Sequence, residues 1–324
     1  MKTFASYTAA LIVTGALAPL ADAAEADAYP ARPVRILVPY TPGTTSDIIA
    51  RLVGIKLGAT LGQQVVIENR EGAAGTIAAG IAARANPDGY TLLLAQASFS
   101  VAPFLFKKLP YDPSKDFSAI TLIAMVPNVL VTSPTFPANS MKELIALAKT
   151  QPGKLQYAHS GKGSPSHLAS EMLNSMAGIK IDEIPYKSSA QALTDAMVGT
   201  VAFNYPSMAA VMPHVKAGRV KALAVSSGKR ASAMPDVPSM AETVPGYDAA
   251  GYYGFVVPAG TSPALVKRLQ KDIVAAVTAP DMKERLAAQG ADIVGNTPEE
   301  FTAFIRRDAA KWSKLIDELK IPKD

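Results

Sequence analysis

Short, nearly continuous apolar runs alternate with helical patterns along almost the whole chain, and this alternation restricts the fold more than any other feature. Val34–Val38 (VRILV) is apolar at four of its five positions, as expected for a strand buried on both faces. The Pro42-Gly43 pair ends it, and a helix is predicted over 47–61, with Ile48, Leu52, Ile55 and Ala59 on one face. Strands are predicted at 65–67 and 91–94, separated by a helix over 76–85 and the turn Asn86-Pro87-Asp88-Gly89. Further strands are predicted at 129–132, 155–158, 181–184, 201–205, 222–226 and 254–257. Helices are predicted at 140–149, 167–177 and 190–198, with more at 263–275, 281–289 and 298–319. Ser140 followed by Glu143 is a capping-box signature. Such alternation predicts α/β architecture with largely parallel sheets.

The chain of 324 residues is long for a single core. Candidate crossings between two domains lie at 125–127 and 245–247. They give a discontinuous first domain, 30–126 with 247–324, and a second domain, 127–246, inserted into it. Two crossings form a hinge, and the cleft between such domains is a natural ligand site. The N-terminus reads as a secretory signal over 1–23. Lys2 precedes an apolar run over 9–20, and the small residues Ala21, Asp22, Ala23 and Ala24 follow. Cleavage is expected after Ala23, with Ala21, Ala24 and Ala26 as alternatives. The run is too short to span a bilayer. With no cysteine, the exported protein has neither disulfides nor a lipid-anchoring thiol, so it depends on an ordinary apolar core. A hydrophobic content of 49% is enough for one. The net charge of +5 is scattered rather than clustered with aromatics, which argues against nucleic acid as a partner.

Strand-to-helix turns carry the candidate chemistry. The first contains Tyr40, Thr41, Gly43, Thr44, Thr45, Ser46 and Asp47. A small, hydroxyl-rich loop opening a helix offers backbone N–H groups at the positive end of the helix dipole, which suits a carboxylate or phosphate. The second runs from Ser160 through Gly163 and Ser164 to His167, with Ser164 suited to the N-cap and Pro165 to the first helical position. A weaker third contains Tyr186, Lys187 and Ser188. Ser98, just after the third strand, is grouped with them. Each loop also has a plain reading as helix capping. The ligand reading gains from their recurrence, because open α/β sheets bind ligands at the carboxyl ends of parallel strands.

Enzyme signatures are few. No Walker motif, dinucleotide fingerprint or G-x-S-x-G elbow occurs. His159, His167 and His214 have no carboxylate at metal-ligand spacing in the sequence, so no metal and no cofactor are expected. An exported hydrolase using Ser164 and His167 is the competing enzyme reading. Trp312, with Phe301, Phe304 and Ile305, is expected to pack the last helix onto the body.

At these loops the chain resembles a known family. The stretch 29–43 (YPARPVRILVPYTPG) is similar to the mature start of Bug-family proteins, the extracytoplasmic solute receptors of tripartite tricarboxylate transporters. Matches continue in order through 66–70 (VIENR), 87–93 (PDGYTLL), 109–113 (LPYDP), Gly161 to His167, 185–187 (PYK), 235–238 (PDVP) and 297–301 (TPEEF). The resemblance implies a type II periplasmic-binding-protein fold, two α/β domains closing on a small carboxylate. It also implies a monomeric binding protein in the periplasm rather than an enzyme, with membrane permease subunits as partners. Carried over, a ligand carboxylate sits between the first loop, Thr41 to Asp47, and the second, Ser160 to His167. The 186–190 turn and Tyr205 line the distal end.

The departures bear on the ligand. Thr44 stands where the family usually has a second glycine, and Ala202 and Pro206 stand where acidic residues are common. Without those acids an ammonium group has no partner. Phe203, Tyr205, Tyr252 and Tyr253 offer aromatic surface instead, which points toward an aromatic dicarboxylate such as terephthalate rather than citrate. A sensory receptor with the same fold is the alternative to a transport role.

Overall fold

The computed structural model describes residues 29–161, 163–321 and 323. The predicted signal segment lies outside the described residues. The chain builds two sheets. In the first, β1 (Val34–Val38) pairs in parallel with β2 (Val65–Asn69) and β3 (Thr91–Gln96). The long strand β4 (Phe117–Val126) then leads toward the second sheet, formed by β5 (Val129–Thr132), β6 (Gln156–His159), β7 (Asp182–Pro185), β8 (Phe203–Asn204) and β9 (Lys221–Val225). The chain returns as β10 (Gly251–Pro258), which inserts antiparallel between β3 and β4, and β11 (Asp292–Ile293) closes the edge. The spatial orders are β11-β4-β10-β3-β1-β2 and β7-β6-β8-β5-β9. The sheets are therefore mixed: the strands on either side of each crossing run antiparallel to their neighbours.

The helix α1 (Thr45–Leu61) follows β1, and its buried face differs from the expected one. Ile49, Val53 and Leu57 are fully buried against the first sheet, whereas Ile55 is 68% exposed. The helix is apolar around most of its girth, so periodicity did not single out the inner stripe. Each of the three inner residues contributes roughly 2 kcal/mol of burial.

After α2 (Thr76–Ala83) come α3 (Ala97–Leu105), which carries Pro103, and β4, neither announced by the sequence pattern; the helix over Met208–Lys216 and the strand β11 were not announced either. The second lobe adds α4 (Met141–Thr150), α5 (Pro165–Ala177), α6 (Ser189–Val198) and α7 (Met208–Lys216). Ser140 caps α4 by accepting from the Glu143 N–H, as expected. The chain ends with α8 (Pro263–Thr278), α9 (Pro280–Ala287) and α10 (Pro298–Glu318). The last helix serves both lobes. Phe301 packs with Tyr252 and Val256 of the first sheet, while Trp312, Leu315 and Ile316 share a core with Leu130, Tyr157 and Phe203 of the second. Among the described residues, no helix is long and apolar enough to cross a membrane.

Candidate binding site

Between the lobes lies a cavity of about 310 Å³. Tyr40 and the β3–α3 junction, Gln96 and Ser98, face it from the first lobe; Ser160, Gly163 and Ser164 face it from the second. The 249–251 crossover, Trp312 and Ile321 complete the wall. Five residues named from the sequence thus meet in one place: Tyr40, Ser98, Ser160, Gly163 and Ser164. No charged side chain lines this cavity among the described residues. Its apolar surface comes from Val101, Leu105, Phe106, Leu168 and Trp312.

The first loop is braced from behind. Asp47 is buried; its Oδ2 accepts from the Gly43 N–H at 2.9 Å and Arg51 Nε at 3.0 Å, and its Oδ1 accepts from Asn69 Nδ2 at 2.9 Å. Asn69 Nδ2 also donates to the Tyr40 carbonyl at 2.9 Å. Burial raises the Asp47 pKa, but the hydrogen bonds from Arg51, Gly43 and Asn69 outweigh it and hold the carboxyl below its usual range. Asp47 therefore shapes the loop and does not line the cavity. Thr41 and Gly43 are exposed, and Thr44 and Thr45 half-buried. Thr44 Oγ1 donates to the Thr41 carbonyl and pairs with Ser46 Oγ at 3.0 Å rather than capping α1. The first turn of α1 thus keeps N–H groups that have no partner within the helix. Burial pushes the Tyr40 phenol up, only partly offset by Ser98, so it remains a neutral donor.

The second loop is held differently from expectation. Its backbone N–H groups are largely occupied: Ser160 donates to Ser166 Oγ, Gly161 to His159 Nδ1, Gly163 to His167 Nδ1 and Ser164 to the Gly161 carbonyl. Ser164 Oγ caps α5 by accepting from the His167 N–H at 3.3 Å. The Ser160 hydroxyl has no partner among the described residues. Both histidines point away from the cavity, with each Nε2 lying 3.1 Å from Oε2 of Glu183. Glu183 is 24 residues beyond His159, a proximity made only by the parallel pairing of β6 and β7. The histidines are thus loop braces, and His167 does not stand free as a base for Ser164.

The third loop and the aromatic set lie elsewhere. Tyr186 donates to Asp195, Ser188 caps α6, and Lys187 is exposed; none lines the cavity. Tyr205 is buried and accepts from the Tyr247 hydroxyl at 3.2 Å. Phe203 stacks on Tyr157, and Tyr252 pairs with Ser100 at 2.7 Å. These rings serve the cores; the aromatic surface of the cavity comes from Tyr40, Phe106 and Trp312.

The sequence reading missed Gln96. Its Nε2 is buried with no hydrogen-bond partner, and the residue lines the cavity. An unpaired buried amide costs free energy that a ligand acceptor recovers. The signal was present in the sequence, because Gln96 is the polar residue closing the apolar strand TLLLAQ.

Two α/β lobes joined by crossing strands around a polar-lipped cavity, uncharged among the described residues, define a solute-binding protein. The chain belongs to the tripartite tricarboxylate transporter receptor family, whose profile matches residues 49–321. It is 37% identical to the protein BugT of Bordetella pertussis over 94% of each chain. Among solved structures, it resembles the Rhodopseudomonas palustris protein Rpa4515 with adipate: 34% identity, TM-score 0.78, covering 89% of this chain and 97% of that one. It also resembles MatC of Rhodopseudomonas palustris with bound malate, with 30% identity, TM-score 0.75, and 89% and 100% coverage. The family and these neighbours are solute-binding proteins, not enzymes.

Proposed function

We propose that this chain works in the periplasm as a monomeric receptor, closing its lobes, 30–126 with 247–324 and 127–246, on a small dicarboxylate with an apolar body. The filled receptor then delivers its ligand to the permease subunits of a tripartite transporter. The carrying observation is the unpaired Gln96 amide in a cavity whose lining also offers the neutral donors Tyr40, Ser98 and Ser160 among mostly apolar residues. Neutral donors and the first turn of α1 suit a carboxylate. Leu105, Phe106, Leu168 and Trp312 suit a flat hydrocarbon body, which favours an aromatic dicarboxylate such as terephthalate. Among the described residues the lining holds no acid to pair with an ammonium group, so amino acids are disfavoured. An aliphatic dicarboxylate is the second reading, supported by the relative that holds adipate. Titration calorimetry with terephthalate, adipate, citrate and glutamate tests the ranking. Terephthalate is expected to bind tightest and glutamate weakest. Glutamate ahead of both dicarboxylates overturns the ligand assignment.

A further inference from the structure

A second cavity, of about 510 Å³, lies on the far side of α3. It is roofed by the 106–117 segment and by α10, over β4 and β10. The helix α3 is a wall common to both cavities: Val101, Ala102 and Leu105 face the first, and Phe99, Pro103 and Phe104 face the second.

The floor of the second cavity is aromatic. Phe99 stacks on Tyr111 with ring centroids 6.2 Å apart, and Phe117 meets both edge-on. Phe104, Leu109 and Ile305 line it while only half-buried. Most polar groups in the lining already have partners. Ser100 is paired with Tyr252, and Thr302 Oγ1 donates to the Pro298 carbonyl. Asp112 accepts from the Ser114 N–H and hydroxyl and pairs with Lys115 at 3.2 Å. The hydrogen bonds of Ser114, with that of Lys115, hold its carboxyl below the usual range. Lys107 and Arg306 are different. Both are exposed at the cavity and make no ion pair or hydrogen bond among the described residues.

A half-open cavity with an aromatic floor and two uncommitted cations at exposed positions of its lining matches one kind of solute. We infer that this cavity is a second binding site, separate from the inter-lobe cleft, for a soluble amphipathic anion: a carboxylate on a medium-length hydrocarbon or aryl-alkyl body. The volume falls within the range of small-molecule sites, roughly 300–1,000 Å³. The hydrocarbon covers the half-buried rings, and the carboxylate meets Lys107 and Arg306. Among the described residues the inter-lobe cleft is lined by neutral donors alone, whereas this cavity adds charge at its rim and therefore depends on ionic strength.

Decanoate is the probe, followed by titration calorimetry below its micelle concentration. The wild-type protein is expected to bind it saturably, and more weakly as salt is raised. Lys107→Glu combined with Arg306→Glu, two exposed substitutions that leave the core untouched, should weaken decanoate at least tenfold. Ala309→Trp, which fills the cavity from α10, should do the same. Gln96→Met, in the other cavity, should leave decanoate affinity within twofold of wild type. Loss of decanoate in Gln96→Met with retention in the charge-reversed variant would place it in the cleft and overturn the inference. Absence of saturable binding would overturn it equally.

Discussion

Replacing Gln96 by methionine should move stability and affinity in opposite directions. The side chains are similar in length, but methionine brings no N–H donor. In the free protein the Gln96 Nε2 atom is buried without a partner. A buried unsatisfied polar group costs about 1–3 kcal/mol. Taking the low end, because the rest of the residue is only half-buried, the substitution should stabilise the free protein by about 1 kcal/mol. For a protein of this size that raises Tm by roughly 2 °C. With ligand, the balance reverses. A hydrogen bond to a charged acceptor is worth about 1.5–3 kcal/mol. Losing it should raise Kd about 10- to 150-fold. Thermal denaturation without ligand and titration calorimetry with terephthalate and adipate read the two effects separately. A lower Tm with unchanged affinities would show that the amide supports the fold rather than the ligand, and would refute the argument.

Three further outcomes are expected. Gly163 has φ +72°, and a Cβ there would come within 2.5 Å of Leu105 Cδ1 across the cleft; Gly163→Val should therefore prop the lobes apart. Small-angle scattering should show the wild-type radius of gyration shrinking with saturating terephthalate, and the variant's staying constant. Asp47 has a folded pKa below its unfolded value, so its contribution is fully present above about pH 4 and is lost as pH falls through the folded value. Asp47→Ala should cost about 2–3 kcal/mol in urea unfolding at pH 7, and its deficit against wild type should narrow in acid. Finally, N-terminal sequencing of protein released from the periplasm should begin near Ala24; a start at Met1 in a membrane-bound form would remove the signal assignment.

The parts of the fold legible in the sequence are those where burial is written as an unbroken apolar run. β1 and β3 are of this kind, because strands covered on both faces need no polar alternation. That the loops at Tyr40 and Ser160 meet at the inter-lobe cavity was legible for a related reason: the carboxyl ends of such strands are where the chain turns and where open α/β sheets form their crevices. What the sequence did not convey was direction. In β10, Tyr252 and Tyr253 point to opposite faces, and only one face of a strand can be chosen correctly by alternation. Tyr252 turned into the core with Ser100, and Tyr205 turned toward Tyr247. α3 escaped notice because Ser98, Ser100 and Pro103 interrupt its apolar pattern. Those same interruptions are how the helix serves two cavities, presenting Ser98 to one and Pro103 to the other.

The two lips of the cleft follow one design in different materials. On the first, Asp47, Asn69 and Arg51 fix the loop through a buried carboxylate. On the second, His159 and His167 accept the loop's own N–H groups and set their opposite nitrogens against Glu183. In each case these charged or titratable groups stand one layer behind the surface, and the described residues that reach the cavity are neutral. A loop that is ordered before the ligand arrives does not lose conformational entropy on binding, so less of the contact energy is spent in ordering it. The placement also sets selectivity. A full cation in the cavity would attract any small anion, whereas on the proposed reading fixed neutral donors would favour a carboxylate whose hydrocarbon body also meets Leu105, Phe106 and Trp312. Gln96 fits this scheme as a buried donor without a partner, whose desolvation cost an entering acceptor would recover on the proposed reading.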